Sequence, residues 1–322
     1  MPRAASQLSL FGLSMLCGCL QAAPPAVTTH LGMANASAVI AIGEDQFLAA
    51  SDEDNVLRLY TNAGAPEPSA SFDVTAWLGF HGGKIEEADF EGAARIGDVI
   101  YWIGSHGRNK DGKNRPARQR LLATRLSTRA GAIQLEPVGP AYGGLLADLA
   151  AAPQLARFGL GNAARLSPEK DGGLNIEGLA ATPEGGLFIA LRSPLAEGKA
   201  LLVPLLNPAE LATGKQARFG EGIQLDLGGQ GVRDLVWTGR EYFLIAGHPT
   251  DGGKQQLYRW AGPGKTPEPL EHGSFKHFNP EAITAYGAAE HPRLLVLSDD
   301  GNRKQPKQAA DRRFRSFWVE PK

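Results

Sequence analysis

The feature that most constrains this chain is a unit that recurs five times. In each copy a short apolar segment runs into a glycine turn, and a second apolar segment returns from it. The turn glycines are Gly43, Gly97, Gly185, Gly239 and Gly287. Six residues before the turn stand Ser37, Glu91, Arg233 and Glu281; Glu177 takes the corresponding place in the third copy, where Pro183-Glu184-Gly185-Gly186 lengthens the turn. Fifteen residues after these markers come Asp52, His106, Arg192 and His248, and Asp299 falls 18 after Glu281 because Ala288 to Pro292 extends that turn. Repetition of one hairpin-centred unit is the signature of an array built from identical supersecondary pieces.

Each copy has room for two more strands. Third strands are predicted at Val56–Tyr60, Leu121–Leu126, Leu201–Leu206, Leu257–Ala261 and Phe314–Val319. Fourth strands are predicted at Ala70–Leu78, Ala132–Val138, Gly222–Leu227 and Pro267–Phe275. The last copy runs out of chain after its third strand, and the segment Ala26–Gly32 is free to supply its fourth. A ring closed by its own N-terminal strand leaves no open edge between first and last units. The predicted fold is therefore all-β: a single β-propeller of five four-stranded blades closed by an N-terminal strand. Glu91 and Glu177 lie 86 residues apart, where the other marker spacings fall between 48 and 56. The excess holds Leu145 to Phe158, with Leu146, Leu149 and Ala150 at helical spacing, and reads as one helical insertion; a sixth, degenerate blade is the alternative.

Composition narrows the class. With 43% hydrophobic and 21% charged residues this is an ordinary globular chain, and a net charge of -1 argues against a general role on nucleic acid or a membrane surface. Residues 1–22 have the pattern of an export signal: Arg3, an apolar run from Leu8 to Leu16, and small residues near Ala22. Leu16-Cys17-Gly18-Cys19 also fits a lipoprotein signal with Cys19 acylated, which would be the only tie to a membrane. Both cysteines lie in this segment, so the domain from residue 26 to 322 carries no disulfide. The expected location is the periplasm or cell envelope.

In a propeller, first-strand starts converge near the axis. Ser37, Glu91, Glu177, Arg233 and Glu281 are expected to ring one mouth, with Asp52, His106, Arg192, His248 and Asp299 forming a second ring close by. Two basic loops leave the same mouth: one from Arg108-Asn109 to Arg120, the other from Arg303 to Arg315. Clustered carboxylates raise one another's pKa or require a cation. Glu91, Glu177, Glu281, Asp52 and Asp299 are thus candidate ligands for a divalent metal, and their hard oxygens favour calcium. Arg192, Arg233, Arg108 and Asn109 are candidate anion-binding residues, and His106 and His248 candidate acid–base groups. That set suits metal-assisted hydrolysis of a small anionic ester, a phosphoester or a lactone. The alternative is a non-catalytic envelope propeller that binds a small anionic ligand or another envelope protein. A purely structural reading stands beside both, in which the glutamates pair with Arg192 and Arg233 across the axis.

The segments Asp-Phe-Glu-Gly-Ala-Ala, Trp-Ile-Gly-Ser-His-Gly-Arg-Asn, Asn-Ile-Glu-Gly-Leu-Ala, Val-Arg-Asp-Leu and Asn-Pro-Glu-Ala-Ile resemble the bacterial family called domain of unknown function 3616. The resemblance implies a propeller-like β fold over about residues 35 to 320. More loosely the chain is similar to phytase-like, esterase-like and calcium-dependent lactonase propellers, whose likeness implies a metal at the channel mouth.

Overall fold

A computed structural model describes residues 27–80, 86–168, 172–250, 252–271, 275 and 277–321. The export signal and Cys19 lie outside the described residues. Strand β1 (Val27–Leu31) comes first, and blade one follows as β2 (Ala38–Ile42), β3 (Gln46–Ala50), β4 (Val56–Thr61) and β5 (Ala70–Asp73). Blade two is β6 (Phe90–Ile96), β7 (Val99–Gly104), β8 (Leu121–Arg129) and β9 (Ala132–Pro137). Blade three is β10 (Asn175–Ala181), β11 (Leu187–Ala196), β12 (Lys199–Leu205) and β13 (Ile223–Leu225). Blade four is β14 (Gly231–Trp237), β15 (Tyr242–Gly247), β16 (Gln256–Trp260) and β17 (Glu268–Pro269). Blade five is β18 (Pro280–Tyr286), β19 (Arg293–Ser298) and β20 (Arg313–Val319), completed by β1 in the order β18-β19-β20-β1.

The result is a five-bladed β-propeller, and the N-terminal strand closes it as expected. β1 runs antiparallel to β20 from Val27↔Phe317 to Leu31↔Arg313. The closure is pinned from both sides. His30 of β1 is buried against Phe314 of blade five (4.8 Å between centroids) and Phe47 of blade one (5.2 Å). Its Nε2 lies 2.8 Å from Ser316 Oγ, and the Tyr60 hydroxyl donates to the Leu31 carbonyl at 2.7 Å. Phe47 and Phe314 are fully buried, which contributes about 2–3 kcal/mol each.

The hydrophobic core is divided into wedges, one between each pair of adjacent blades. The wedge between blades two and three takes up the extra sequence. Helices α1 (Leu145–Ala151) and α2 (Leu160–Ala163) flank a 3-10 turn at Pro153–Phe158, and Leu145, Leu149, Leu155 and Leu160 pack beside Ile103, Ile176 and Leu201. No sixth blade forms among the described residues. Outer strands are shorter than predicted. The Ala70–Leu78 prediction becomes β5 plus a 3-10 turn at Thr75–Leu78, started by the Asp73 carboxylate accepting from the Thr75 N–H at 2.9 Å. Of Pro267–Phe275, Glu268–Pro269 pairs with β16. Outermost strands bond on one side alone, so little holds their ends in register.

The inner strands approach one another closely at two Glu-Gly pairs. A Cβ on Gly92 would stand 2.9 Å from the Leu179 backbone nitrogen, and one on Gly178 would stand 2.9 Å from Leu235 Cδ2. Glycine follows Glu91 and Glu177 because neighbouring blades leave no space for a side chain there. In blade four Asp234 occupies the equivalent place and ties blades together. Its carboxylate accepts from the N–H groups of Leu235 and, in blade five, Ile283, both at 2.8 Å.

Candidate functional site at the channel mouth

Four inner strands begin with the same irregularity. The pairing passes from Phe90↔Gly104 to Gly92↔Ile103, from Ile176↔Leu191 to Gly178↔Ala190, from Val232↔Ala246 to Asp234↔Ile245, and from Pro280↔Ser298 to Ala282↔Leu297. Glu91, Glu177, Arg233 and Glu281 are the skipped residues. Each is the extra residue of a β-bulge, which re-aims its side chain away from the regular alternation. β11 carries its own bulge at Arg192, between Asn175↔Ser193 and Ile176↔Leu191. Blade one pairs regularly from Ala38↔Ala50, and Ser37 donates its N–H to the Ala50 carbonyl at 3.0 Å.

The re-aimed side chains line a cavity of about 850 Å³ at the mouth, together with Asp52, Asp89, Arg118 and Asp299. Its two walls differ. On one, Arg192 Nη1 meets Glu177 at 2.8 Å, Arg233 Nη2 meets Glu281 in a very short ion pair, and Arg233 Nε lies 3.7 Å from the other Glu177 oxygen. Arg192 is anchored further by the carbonyls of His248 (2.9 Å) and Thr250 (2.7 Å). These pairs match the structural reading in their partners but run around the mouth rather than across the axis: Arg192–Glu177 joins adjacent strands of blade three, and Arg233 links blades three, four and five, all buried and mutually compensating.

The other wall is acidic. One carboxylate oxygen each from Asp52, Asp89 and Glu91 lie within 4.8 Å of one another. Burial and the Asp89 and Asp299 carboxylates push the Asp52 carboxyl up to about 7. Burial, with Asp89, Glu177 and Asp52 alongside, lifts Glu91 well above the usual carboxylate range. Burial also raises Asp89, against the pull of Arg118, whose Nη1 sits 3.0 Å from it. Asp299 is raised by burial while the Gly301 N–H (2.7 Å) and the Asn279 amide (3.1 Å) stabilise its charge.

Nine of the eleven predicted site residues line this cavity: Asp52, Glu91, Glu177, Glu281, Asp299, Arg192, Arg233, Arg108 and Asn109. Their roles divide. Glu177 and Glu281 are engaged by arginine, whereas Asp52, Glu91 and Asp299 face the acidic side. Arg108 donates to the carbonyls of Ala164 (3.0 Å) and Gly112 (2.9 Å), and Asn109 Oδ1 accepts from the N–H groups of Asp111 (3.1 Å) and Lys113 (2.8 Å). Both residues therefore shape the loop that they begin. The two histidines do not line the cavity. His106 sits in a left-handed backbone conformation (φ 56°), fully buried, with Nδ1 2.8 Å from the Gly104 carbonyl, and burial lowers its pKa to about 4. His248 is exposed and turned back on its own loop, its Nδ1 accepting from the Thr250 N–H (3.2 Å) and lying 2.9 Å from the Thr250 hydroxyl. His106 is sealed off by burial, while His248 is exposed on the loop whose next residues, Pro249 and Thr250, line the cavity.

Asp89 was not singled out by the sequence. It precedes β6 with φ 54°, a left-handed conformation that aspartate tolerates better than most residues. The available signal was its place two residues before Glu91 in Asp-Phe-Glu-Gly. Arg118 comes from the first basic loop, whose arginines prove largely committed. Arg115 pairs with Glu86 (3.0 Å) and Glu87 (3.6 Å), Arg118 with Glu87 (3.1 Å) and Asp89, and Arg120 donates to the carbonyls of Leu78, Pro116 and Gln119.

Solved structures similar to this chain share its general shape at low identity. A GH43 β-1,3-galactosidase with galactodeoxynojirimycin superposes with a TM-score of 0.47 at 11% identity, covering 89% of this chain and 90% of the other. An exo-β-1,3-galactanase from Phanerochaete chrysosporium gives 0.46 at 11% identity, covering 89% and 60%. The major Malassezia sympodialis allergen Mala s 1 gives 0.40 at 11% identity, covering 89% and 78%. At these values none of them transfers an activity. No curated protein matches the chain. A family model matches residues 35–136 and 127–310, spanning nearly the whole propeller with its Glu-Gly inner strands, so the chain belongs to the family described as Protein of unknown function (DUF3616).

Proposed function

We propose that the channel mouth binds a divalent cation between Asp52, Asp89 and Glu91, and that it uses this cation to take up and hydrolyse a small anionic ester of the phosphoester or lactone type. The observation that carries the reading is the close approach of these three carboxylates on a wall where, among the described residues, Arg118 alone forms a salt bridge with them and Arg233 acts on Glu91 from farther away. Glu177, lining the same cavity, has a buried oxygen that accepts no hydrogen bond among the described residues, although Arg233 Nε faces it at 3.7 Å. An all-oxygen donor set suits calcium. A cation there supplies Lewis acidity toward the ester oxygen and toward water. Arg192 and Arg233 hold the opposite wall in place rather than gripping the anion, because Glu177 and Glu281 occupy them. With His106 buried and His248 turned onto Thr250, Asp299 is a raised carboxyl that can hold a proton beside the cluster. The reading includes export to the periplasm or cell envelope through residues 1–22, with Cys19 as anchor in its lipoprotein form.

A second reading, binding without turnover, is favoured by the placement of those histidines. One experiment separates the two. The mature protein is titrated with calcium, magnesium and manganese by calorimetry and thermal melting, then assayed on generic phosphoesters and lactones with each metal or with EDTA. The hydrolase reading expects EDTA-sensitive turnover that Asp89→Asn or Glu91→Gln removes. Calcium binding with no turnover leaves the binding reading, and no effect of any metal on binding or melting sinks the hydrolase and its cation and favours binding without metal.

A further inference from the structure

Beside the mouth, where β1 closes the ring, the loop joining β19 to β20 folds over a second groove of about 470 Å³. Its lining includes Thr29, Arg303, Lys304, Gln305, Arg313 and the Asp300–Arg315 pair. Gln305 staples this loop to the blade. Its Nε2 donates to the carbonyls of Asp300 (2.9 Å) and Arg313 (3.0 Å), and its Oε1 accepts from the Arg313 N–H (3.0 Å). The acidic lining residue is already neutralised: Arg315 grips both Asp300 oxygens at 2.6 and 2.7 Å. Arg303, Lys304 and Arg313 are exposed and form no salt bridge among the described residues. The first basic loop differs, since Arg115 and Arg118 meet Glu86, Glu87 and Asp89. Here three positive charges, of which Arg303 also donates to the His277 carbonyl at 3.4 Å, stand beside Thr29 around a concave surface whose backbone is held in place. Such a surface recognises an oxyanion through charge-assisted hydrogen bonds. Asp300 and Arg303 line both the groove and the central cavity, so the two spaces are immediate neighbours.

We propose that this groove is an oxyanion subsite that takes the second acidic group of the ligand entering the central cavity. The ligand is then an elongated molecule with a phosphate or carboxylate at its far end. This rests on the reading of the central cavity as a cation-dependent anion site, and the test keeps the two apart. Calorimetry on the mature protein, in calcium and in EDTA, compares methylphosphonate with α,ω-alkanediphosphonates of increasing spacer length, and acetate with the matching dicarboxylates. In calcium the doubly charged probes should bind about tenfold tighter or more than the singly charged one at a preferred spacer length, the gain expected of added charge-assisted hydrogen bonds. The series showing the larger gain identifies phosphate or carboxylate as the distal group. The double substitution Lys304→Gln with Arg313→Gln, both at exposed side chains, should remove that gain and leave methylphosphonate binding and the melting temperature unchanged. Equal affinity of single and double anions, or a gain that survives in the double variant, overturns the subsite. Failure of methylphosphonate to bind in calcium, with diphosphonates still bound in EDTA and lost in the variant, retires the cation reading and leaves the groove as an oxyanion site.

Discussion

Removing the negative charge of Asp52 should stabilise the cation-free protein at alkaline pH. The Asp52 carboxyl stands at about 7 in the folded protein against an ordinary value of 3.8. Its folded pKa is raised, so the folded state holds a proton that the unfolded chain has already released between those two values. The stability this proton represents is full below the unfolded value and is lost as pH rises through about 7. The gap corresponds to about 4 kcal/mol at 1.36 kcal/mol per pH unit. Asp52 faces a solvated cavity, so about 2–3 kcal/mol is the figure to expect after screening. The assay is urea unfolding in EDTA from pH 5 to 8.5 for wild type and Asp52→Asn. The difference between the proteins reports Asp52 together with the upward push it exerts on Glu91, while His30 and His106 titrate in both and cancel. Wild type should lose about 1–2 kcal/mol relative to the variant across that range, the part of the gap that lies above pH 5, and millimolar calcium should restore wild type while leaving Asp52→Asn much less affected. Parallel pH profiles in EDTA, or a wild type that gains on the variant as pH rises, would refute the account of the acidic wall.

Further outcomes follow from other contacts. Burial holds His30 at about 4 in the folded state against 6.5 ordinarily, so its contribution is present above the unfolded value and lost as pH falls toward the folded one; a loss of about 3 kcal/mol, smaller in His30→Leu, should appear in acid unfolding curves. Gly178→Ala brings a Cβ to 2.9 Å from Leu235 Cδ2 and 3.2 Å from the Asp234 Cα, and should cost about 1–3 kcal/mol by urea unfolding. Arg233→Met leaves Glu177 and Glu281 without a shared partner and should cost about 3–5 kcal/mol, with much of the loss recovered when Glu177→Gln and Glu281→Gln are added. Arg118→Gln removes a positive charge 3.0 Å from Asp89 and should tighten calcium binding about fivefold or more; weaker binding would show that Arg118 helps to assemble the cluster rather than opposing the cation.

Much of the fold was legible because its signals are local. A glycine turn between two apolar segments fixes a hairpin wherever it occurs, and the lack of a fourth strand after Phe314–Val319 pointed to the N-terminal segment that β1 supplies. Outer strands were over-extended because apolar alternation continues past the residues that find a partner, as at Ala70–Leu78, where Ala70, Phe72, Val74 and Ala76 alternate but pairing ends at Asp73. The site was legible in position but less so in orientation. Counting fifteen residues from each marker treats Asp52, His106, Arg192 and His248 as equivalent. Which way a side chain faces depends on bulges and backbone sign that emerge only on pairing. Arg192 reaches the cavity through a bulge of its own in β11. His106 follows the end of β7 with a left-handed backbone and lies buried beside the Gly104 carbonyl instead.

The bulges also account for the asymmetry of the mouth. A bulge that re-aims a glutamate in blade three, an arginine in blade four and a glutamate in blade five lets these side chains meet as Glu177–Arg233–Glu281, and Arg192 joins from β11. Blade two re-aims Glu91 by the same device, but blade one, regularly paired, contributes Ser37 at the marker and Asp52 just beyond β3. No arginine is re-aimed on that side. Asp89, Glu91 and Asp52 therefore gather where the ring has spent its cations elsewhere, and Arg118 reaches them from a loop and divides its guanidinium with Glu87. A wall of that composition is stable at neutral pH in one of two ways, by holding protons or by holding a cation. Exchanging the two, with calcium displacing protons at constant pH, would release protons into solution in proportion to the metal bound. That release is the signature distinguishing a cation site from a merely buried acidic cluster.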